Sequence, residues 1–171
     1  MRTLLYLDGE NLHWSLMHHH SRELDLGVVL HLAAVEGEVY EARLYADFSR
    51  FPREIATRAL ALGVDSVHVP SHSNGHSDGK WKSTTDQRLT LDCLERILTG
   101  PPVDAVVLAA GDGDYIHLVH KLRSQRVKVI VIGVAQTLSR LLREAADTVR
   151  CYPVPVQEKE PMVGATLEQA A

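Results

Sequence analysis

The feature that most constrains this chain is an apolar run, Ala105 to Ala110, which ends directly in Gly111-Asp112-Gly113-Asp114. The residues that follow, Tyr115 to Ser124, have the pattern of a helix. A short apolar run before an acidic turn is typical of a buried strand in a parallel sheet, and ligands bind beyond the carboxyl ends of such strands. The first strand, Thr3 to Leu7, ends in the same way at Asp8. Two strands are therefore predicted to deliver acids to one edge of the sheet.

Strand and helix patterns alternate along residues 1–152, which predicts a single α/β domain. We expect a Rossmann-like three-layer sandwich, with a mainly parallel central sheet of five to six strands between helical layers. The chain has 171 residues, of which 45% are hydrophobic, and this is enough for one domain with a buried core. Residues 153–171 are rich in proline, glutamate, glutamine and alanine, which predicts a flexible C-terminal tail.

Composition and charge argue against several classes of protein. No apolar stretch is long enough to span a membrane, and Asp8 and Glu10 interrupt the first apolar run, which argues against a signal peptide. The two cysteines, Cys93 and Cys151, have no metal-binding or redox spacing, so we expect reduced thiols in a cytoplasmic protein. The formal net charge of -4 argues against a protein that coats nucleic acid electrostatically. It is compatible with a nuclease whose metal ions supply local positive charge.

Acidic residues on three predicted elements form a candidate cluster. Two of them lie six residues apart on a predicted helix, Thr85 to Leu98, and point in different directions because six residues turn a helix by about 240° net. The five candidates are Asp8, Asp86, Asp92, Asp112 and Asp114. Their hard oxygen ligands suit Mg²⁺ or Mn²⁺. Two such ions can activate water and stabilise the leaving oxygen of a phosphodiester.

Each acid also has a structural explanation. Aspartate often caps helices, so Asp8 could be a cap, and Asn11 could equally be the cap itself. Asp114 directly precedes its predicted helix and is the better cap of its pair, which leaves Asp112 freer to bind a metal ion. Asp92 lies among apolar neighbours and needs a partner, either at a metal site or in a plain salt bridge.

Basic and aromatic residues near the predicted edge are candidates for substrate contacts. Arg50 and Arg53 follow the strand that ends at Asp47, where a phosphate contact and a surface salt bridge are both open. Trp14 could stack a nucleobase, but packing against the sheet is the simpler expectation. The run His18-His19-His20 is expected to be a solvated helix end, because consecutive helical side chains cannot all face one ion.

Taken together, these segments resemble the NYN domain family, the LabA-like branch of the PIN-like nuclease superfamily. The matching pieces occur in the family order over roughly residues 1–152. They are Leu7-Asp8-Gly9-Glu10-Asn11, Lys82-Ser83-Thr84-Thr85-Asp86 with Asp92 six residues later, Ala110-Gly111-Asp112-Gly113-Asp114-Tyr115, and the weaker segment 139–147. The resemblance implies a PIN-like sheet with strand order 3-2-1-4-5 and a metal-dependent ribonuclease site.

The resemblance also implies roles for individual residues. Asp8 and Asp112 match the core metal-binding acids of the family, and Asp86 matches the acid at the start of the middle helix. Asn11 and Asp114 match supporting polar positions. A remaining match is Asp92, the second acid of the middle helix.

Family members often carry a lysine shortly before the middle helix. Here Lys82 precedes Asp86 by four residues, and Lys80 is a second candidate. Either lysine could contact a substrate phosphate. With Arg50 and Arg53, they are the candidate substrate-binding residues.

The predicted function is that of an endoribonuclease dependent on Mg²⁺ or Mn²⁺. Its predicted catalytic residues are Asp8, Asn11, Asp86, Asp112 and Asp114, and its predicted metal ligands are Asp8, Asp86, Asp92 and Asp112. RNA is the expected partner, and a homodimer is compatible with so small a domain. Two alternatives stay open. One is a non-catalytic module of the same fold that binds RNA or a protein, and the other is a DNA-directed or flap-type nuclease.

Overall fold

The central layer of the protein is a parallel β-sheet. The structure, a computed structural model, describes residues 1–73 and 81–153. Its strands are β1 (Arg2–Asp8), β2 (Glu38–Ala46), β3 (Asp65–His68), β4 (His72–Ser73), β5 (Trp81–Lys82), β6 (Ala105–Ala109), β7 (Lys128–Gly133) and β8 (Thr148–Cys151). Strands β4 and β5 pair with each other as a short antiparallel ribbon. The other six form one sheet in which every pairing is parallel.

Helices cover both faces of this sheet. They are α1 (Gly9–His20), α2 (Leu26–Ala34), α3 (Arg53–Ala61), α4 (Thr85–Thr99), α5 (Ile116–Ser124) and α6 (Arg140–Ala145). A short 3-10 helix, Gly113–Tyr115, leads into α5. The first three helices contribute to one apolar cluster and the last three to another, which confirms the predicted three-layer arrangement.

The order of the strands creates a crevice at the middle of the sheet. The spatial order is β3-β2-β1-β6-β7-β8. Counted within the sheet alone, this is 3-2-1-4-5-6, so the predicted order is confirmed and a sixth strand extends it. From the adjacent strands β1 and β6 the chain winds outward in opposite directions. The carboxyl ends of these two strands are therefore the switch point at which doubly wound sheets bind ligands.

Both faces of the central strands are apolar because both are covered. Along β1, Leu5 and Leu7 belong to the cluster under α1 to α3, whereas Leu4 and Tyr6 belong to the cluster under α4 to α6. All four side chains are almost completely buried. Side chains alternate across a strand, so a strand covered on both faces has an unbroken apolar run instead of an alternating pattern.

The ends of several helices follow from local sequence. Asp8 caps α1, because one of its carboxylate oxygens accepts a hydrogen bond from the Asn11 backbone N–H at 3.0 Å. The helix consequently begins at Gly9. At the end of α3, Gly63 has a φ of 70°, a left-handed conformation that glycine adopts without strain.

The structure bears on the predicted absence of a membrane span but not on the predicted flexible tail. In residues 1–73 and 81–153, no helix is long and apolar enough to cross a membrane. Residues 154–171 of the predicted tail lie outside the described residues, so the boundary between domain and tail stays a prediction.

Candidate functional site

A cleft lies at the switch point between β1 and β6. It has a volume of about 810 Å³ and is bounded by α1, the turn after β6 and the N-terminal end of α4. Each of these elements begins or ends at the carboxyl edge of the sheet, so their polar side chains converge there. The position agrees with the general rule for ligand binding in doubly wound sheets.

Carboxylates dominate the lining of this cleft, which we call the acidic cleft. The acidic residues that line it are Asp8, Glu10, Asp86, Asp112 and Asp114. Among the described residues, its fully basic lining residues are Arg50 and Lys82. The acidic side chains thus outnumber the basic ones, and a cleft lined mainly by one sign of charge concentrates counter-ions of the other sign.

Asp8 is the most deeply buried acid of the cleft, with 7% of its surface exposed. Its Oδ1 accepts the capping hydrogen bond from the Asn11 N–H, and its Oδ2 accepts a hydrogen bond from the Tyr115 hydroxyl at 2.7 Å. Burial raises the pKa of Asp8 to about 6, although both hydrogen bonds act in the opposite direction. The negative charges of Glu10 and Asp112 raise it further. The carboxylate form of Asp8 is therefore destabilised where it stands.

Tyr115 is the buried residue whose hydroxyl donates a hydrogen bond to the Asp8 carboxylate. Its side chain is only 1% exposed. Burial raises the pKa of the Tyr115 hydroxyl well above its ordinary value, and the neighbouring charge of Asp8 raises it further. The hydroxyl therefore keeps its proton and remains a hydrogen-bond donor to Asp8 at any physiological pH.

The turn after β6 is built differently from the expectation. Asp112, and not Asp114, is the cap, because its Oδ1 accepts a hydrogen bond from the Asp114 backbone N–H at 3.0 Å. The prediction that Asp114 is the cap was wrong because a 3-10 turn intervenes before α5 and moves the capping position two residues back. Both side chains are exposed toward the cleft that they line.

Asn11 ties the two acid-bearing strand ends together. Its Oδ1 accepts a hydrogen bond from the Gly111 backbone N–H at 2.7 Å, across 100 residues of chain. Close packing around Gly111 supports the same arrangement, since a Cβ at that position would lie 3.4 Å from the Asn11 Oδ1 and 3.2 Å from the Thr137 carbonyl oxygen. Asn11 therefore acts as a bridge from α1 to the turn that carries Asp112.

Glu10 is a cleft residue that was not among the predicted site residues. Its Oε2 accepts hydrogen bonds from the Ser83 hydroxyl at 2.9 Å and from the Thr85 hydroxyl at 3.3 Å. These contacts hold the start of α4, where Asp86 lies in the first turn, against the start of α1. The sequence signal that could have identified Glu10 as a cleft residue is its position two residues after Asp8, at the end of the same strand.

Of the predicted site residues that the structure describes, Asp92 and Arg53 do not line the acidic cleft. Asp92 lies six residues along α4 from Asp86, about 9 Å further from the cleft. It forms an ion pair with Arg88 at 2.8 Å and accepts a hydrogen bond from the Tyr45 hydroxyl at 3.1 Å. The sequence left open whether Asp92 has its partner at a metal site or in a plain salt bridge, and the structure shows a salt bridge.

The other of these residues is Arg53, which lies in the first turn of α3 and lines a separate shallow depression with Arg58 and Thr57. It follows Arg50 by only three residues, but the turn into α3 directs it away from the acidic cleft. Lys80 lies outside the described residues.

One wall of the cleft is aromatic and not acidic. Helix α1 contributes Trp14, Ser15, His18 and His19 to the lining. Trp14 is 45% exposed, so the expectation that it packs against the sheet was wrong. The sheet side of α1 is occupied by Leu12, His13 and Leu16 instead, and Trp14 is on the side of the helix that faces the cleft.

The donor atoms of the cleft are carboxylate oxygens, which are the ligands that hard divalent cations prefer. Within the described ranges, no three histidine, cysteine, aspartate or glutamate side chains form a ready-made metal cage. Such a cage is expected for structural zinc or for calcium, whereas Mg²⁺ keeps several waters and is usually bound by one or two carboxylates together with substrate phosphates. The open set of carboxylates fits an ion of the second kind.

Comparisons with known proteins agree with this geometry. A family model described as NYN domain matches residues 2–152. A crystal structure of a protein of unknown function from Vibrio parahaemolyticus superposes with a TM-score of 0.70 and 27% sequence identity. The match covers 89% of this chain and 93% of that one. No curated protein matches this chain in sequence.

Proposed function

This chain belongs to the NYN domain family, which is part of the PIN-like nuclease superfamily, and on that premise we propose that it hydrolyses RNA phosphodiester bonds with the help of a divalent metal ion. The observation that carries the proposal is the acidic cleft itself. Five carboxylates from β1, α1, α4 and the turn after β6 converge at the switch point of the sheet, and the most buried of them, Asp8, has a raised pKa. Such perturbed acids in a cleft are typical of functional sites.

The residues that would hold Mg²⁺ or Mn²⁺ are Asp8 and Asp112, with Asp86 on the facing wall. A bound divalent ion supplies two things for this chemistry, a more acidic water and a counter-charge for the leaving oxygen. A nearby cation would also lower the pKa of Asp8 back toward that of an ordinary carboxyl group, since an opposite charge favours the ionised form. Asp92 is not proposed as a ligand, because it pairs with Arg88 and does not line the cleft.

The remaining polar groups position these acids. Tyr115 and the Asn11 N–H each occupy one oxygen of Asp8, which fixes the plane of the carboxylate and leaves a second lone pair on each oxygen. Asn11 also holds the turn that carries Asp112, so the two acids keep a constant spacing. Asp114, on the same turn, is placed to orient a water molecule or a ligand of the cation. Asp8 is thus held in position by hydrogen bonds at the bottom of the cleft, whereas Asp112 and Asp114 are exposed to solvent.

Arg50 and Lys82 are proposed to contact phosphate groups of the substrate. Both line the cleft and both are exposed. Cationic side chains that flank an acidic catalytic centre orient the nucleic acid backbone without selecting its sequence.

The test is an assay of cleavage with the Asp112→Asn protein beside the natural one. Labelled single-stranded RNA, structured RNA and DNA are each incubated with Mg²⁺, Mn²⁺ or EDTA. We expect cleavage of RNA that requires the metal ion and is lost in Asp112→Asn. The amide oxygen of the new side chain can still accept the Asp114 N–H, so the turn should keep its shape. Preferential cleavage of DNA would show that the substrate is DNA and not RNA.

A matched control is Asp104→Asn, the same change at the amino end of β6, where Asp104 accepts a hydrogen bond from the Arg2 N–H. This variant should cleave at the natural rate. Full activity of Asp112→Asn would overturn the assignment of the site. No cleavage of any substrate by the folded protein with metal ions present would favour a non-catalytic module that binds RNA or protein.

A further inference from the structure

The two walls of the acidic cleft differ in chemistry. The wall formed by the strand ends, the first turn of α1 and α4 carries the five carboxylates. The wall formed by the later turns of α1 carries Trp14, Ser15, His18 and His19. These four positions share one face of the helix, because residues three to four apart are neighbours on a helical surface. The α1 wall therefore presents aromatic rings, and no carboxylate, to whatever lies in the cleft.

Trp14 stands out on this wall because a large apolar ring is kept in contact with solvent. Its neighbours Leu12, His13 and Leu16 are buried, and the indole is 45% exposed. The ring is nevertheless held in place, since it packs edge-on against His13 with the ring centroids 4.8 Å apart. His13 packs in the same manner against Phe51 at 5.4 Å. An exposed aromatic ring that is fixed from behind is a preformed contact surface.

The chemistry of the cleft restricts what this surface can bind. A phosphate is attracted to the carboxylate wall only where a cation is present, and it gains nothing from an indole. A nucleobase is uncharged and has two apolar faces, and it stacks on tryptophan regardless of its identity. Trp14 lies six residues after Asp8, about 9 Å along the axis of α1, so a strand with one phosphate at Asp8 passes beside the indole.

We propose that the indole of Trp14 is the stacking surface for one nucleobase of the strand whose phosphate lies at Asp8 and Asp112. This inference rests on the proposed nuclease function and assigns a specificity-determining residue to it. A base can lie against the indole only when it is not stacked inside a duplex. Trp14 therefore makes the site selective for unpaired nucleotides, without reading their sequence.

The first experiment detects stacking without relying on cleavage. The chain has two tryptophans, Trp14 and Trp81, so the double variant Asp112→Asn, Trp81→Phe has Trp14 as its one fluorophore of this kind. A 12-residue single-stranded oligonucleotide is added in the presence of Mg²⁺, and indole fluorescence is followed. We expect saturable quenching that an abasic oligonucleotide of the same length does not produce. Equal quenching by the abasic strand, or binding seen by anisotropy with no quenching, would overturn the proposal.

The second experiment measures affinity with matched variants of the Asp112→Asn protein. Trp14→Leu keeps an apolar side chain but removes the ring. It should weaken binding of the single strand by about 5- to 150-fold, the range found for loss of one stacked base. Trp14→Phe should retain part of the affinity. The control is Tyr40→Leu, because Tyr40 is also an exposed aromatic residue, at 56%, but lies on β2 outside the cleft.

The outcomes separate this inference from the proposed function. Metal-dependent cleavage by the natural protein, combined with natural affinity in Trp14→Leu, would refute the stacking role and leave the nuclease intact. If the natural protein cleaves no substrate, fluorescence quenching by the oligonucleotide together with weakened binding by Trp14→Leu would support the stacking role and refute catalysis. Failure of the folded protein to bind any oligonucleotide would refute both. Arms with RNA and with DNA show which sugar the strand must carry.

Discussion

Asp8 and Asp47 are two buried acids at the ends of neighbouring strands, and their environments shift their pKa values in opposite directions. Asp8 ends β1 and Asp47 directly follows β2, with exposed fractions of 7% and 2%. Burial raises the pKa of Asp8 to about 6. Burial acts in the same direction on Asp47, but hydrogen bonds from Ser49 and Ser71 outweigh it and hold the pKa of Asp47 well below its ordinary range.

The difference lies in what each carboxylate receives from the chain. Asp47 accepts hydrogen bonds from the N–H and the hydroxyl of Ser49 and from the N–H of Ser71. Asp8 accepts two hydrogen bonds and lies beside the charges of Glu10 and Asp112. A buried carboxylate that accepts enough hydrogen bonds to stay ionised stabilises the loops that donate them. A buried carboxylate whose ionised form is destabilised by burial and by neighbouring acids is a candidate to bind a cation.

The largest expected effect comes from Asp8→Asn. On the proposed function, cleavage should fall about a thousandfold, because the loss of a proposed metal ligand removes several kcal/mol of transition-state stabilisation. In metal-free buffer at pH 8, however, the variant should be about 1–2 kcal/mol more stable than the natural protein, since it no longer buries an ionised carboxylate. Cleavage rates and urea denaturation measure the two effects. A destabilised Asp8→Asn protein would mean that Asp8, like Asp47, is mainly structural.

Asp47→Ala should have the opposite profile. Its removal leaves the N–H groups of Ser49 and Ser71 without their acceptor, and we expect a loss of about 3 kcal/mol in the free energy of unfolding. Cleavage by the folded fraction should change less than tenfold, because Asp47 is not among the residues that line the cleft. Chemical denaturation and an activity assay at low temperature test both parts. A loss of cleavage as large as that of Asp8→Asn would remove the contrast between the two acids.

The two acids should also give opposite pH dependences of stability. The folded-state pKa of Asp8 is raised, so its contribution is fully present below about pH 4 and is lost as the pH rises through about 6. The folded-state pKa of Asp47 is lowered, so its contribution is present above about pH 4 and is lost as the pH falls below that value. Unfolding free energies of Asp8→Asn and Asp47→Asn, measured from pH 3 to 8 in EDTA and compared with the natural protein, should therefore diverge at opposite ends of the range. Parallel curves would contradict the assignment.

The smallest effect is expected for Asp92→Asn. Asp92 pairs with the half-exposed Arg88, and exposed ion pairs contribute about 0.5 kcal/mol. The amide oxygen can still accept the hydrogen bond from Tyr45, so stability should barely change and cleavage should be unaffected. Loss of metal-dependent cleavage in this variant would return Asp92 to the set of metal ligands.

Much of the fold was predictable because it depends on local patterns. The strands around Leu5 and Val107 are apolar on both faces, and this pattern indicates a sheet covered on two sides whatever the neighbouring elements are. The acids Asp8 and Asp112 could be placed at one edge because each directly follows such a strand. Helix starts were less accurate, as at Asp112, because a single 3-10 turn moves the capping position without altering the apolar pattern.

The surroundings of individual side chains were less predictable. Glu10 and Asp92 both lie on helices, yet Glu10 lines the cleft and Asp92 pairs with Arg88. In the sequence, only the position of Glu10 two residues after Asp8 indicated this difference. Trp14 was expected to pack against the sheet, although its exposure depends on how α1 is rotated about its axis. These outcomes depend on contacts between residues that are far apart in the chain.

The sequence by itself determined the class of fold, the parallel sheet and the edge at which the acids of β1 and β6 meet, because the periodicity of apolar residues and the turn after each strand are local properties. Only the tertiary structure decided which carboxylate is left under-compensated. Asp8 and Asp47 are both aspartates at strand ends. Burial and the charges of Glu10 and Asp112 raise the pKa of Asp8. Hydrogen bonds from Ser49 and Ser71 outweigh burial and lower the pKa of Asp47. The physical reason is that burial and charge act through space, between residues that the chain brings together only when it folds.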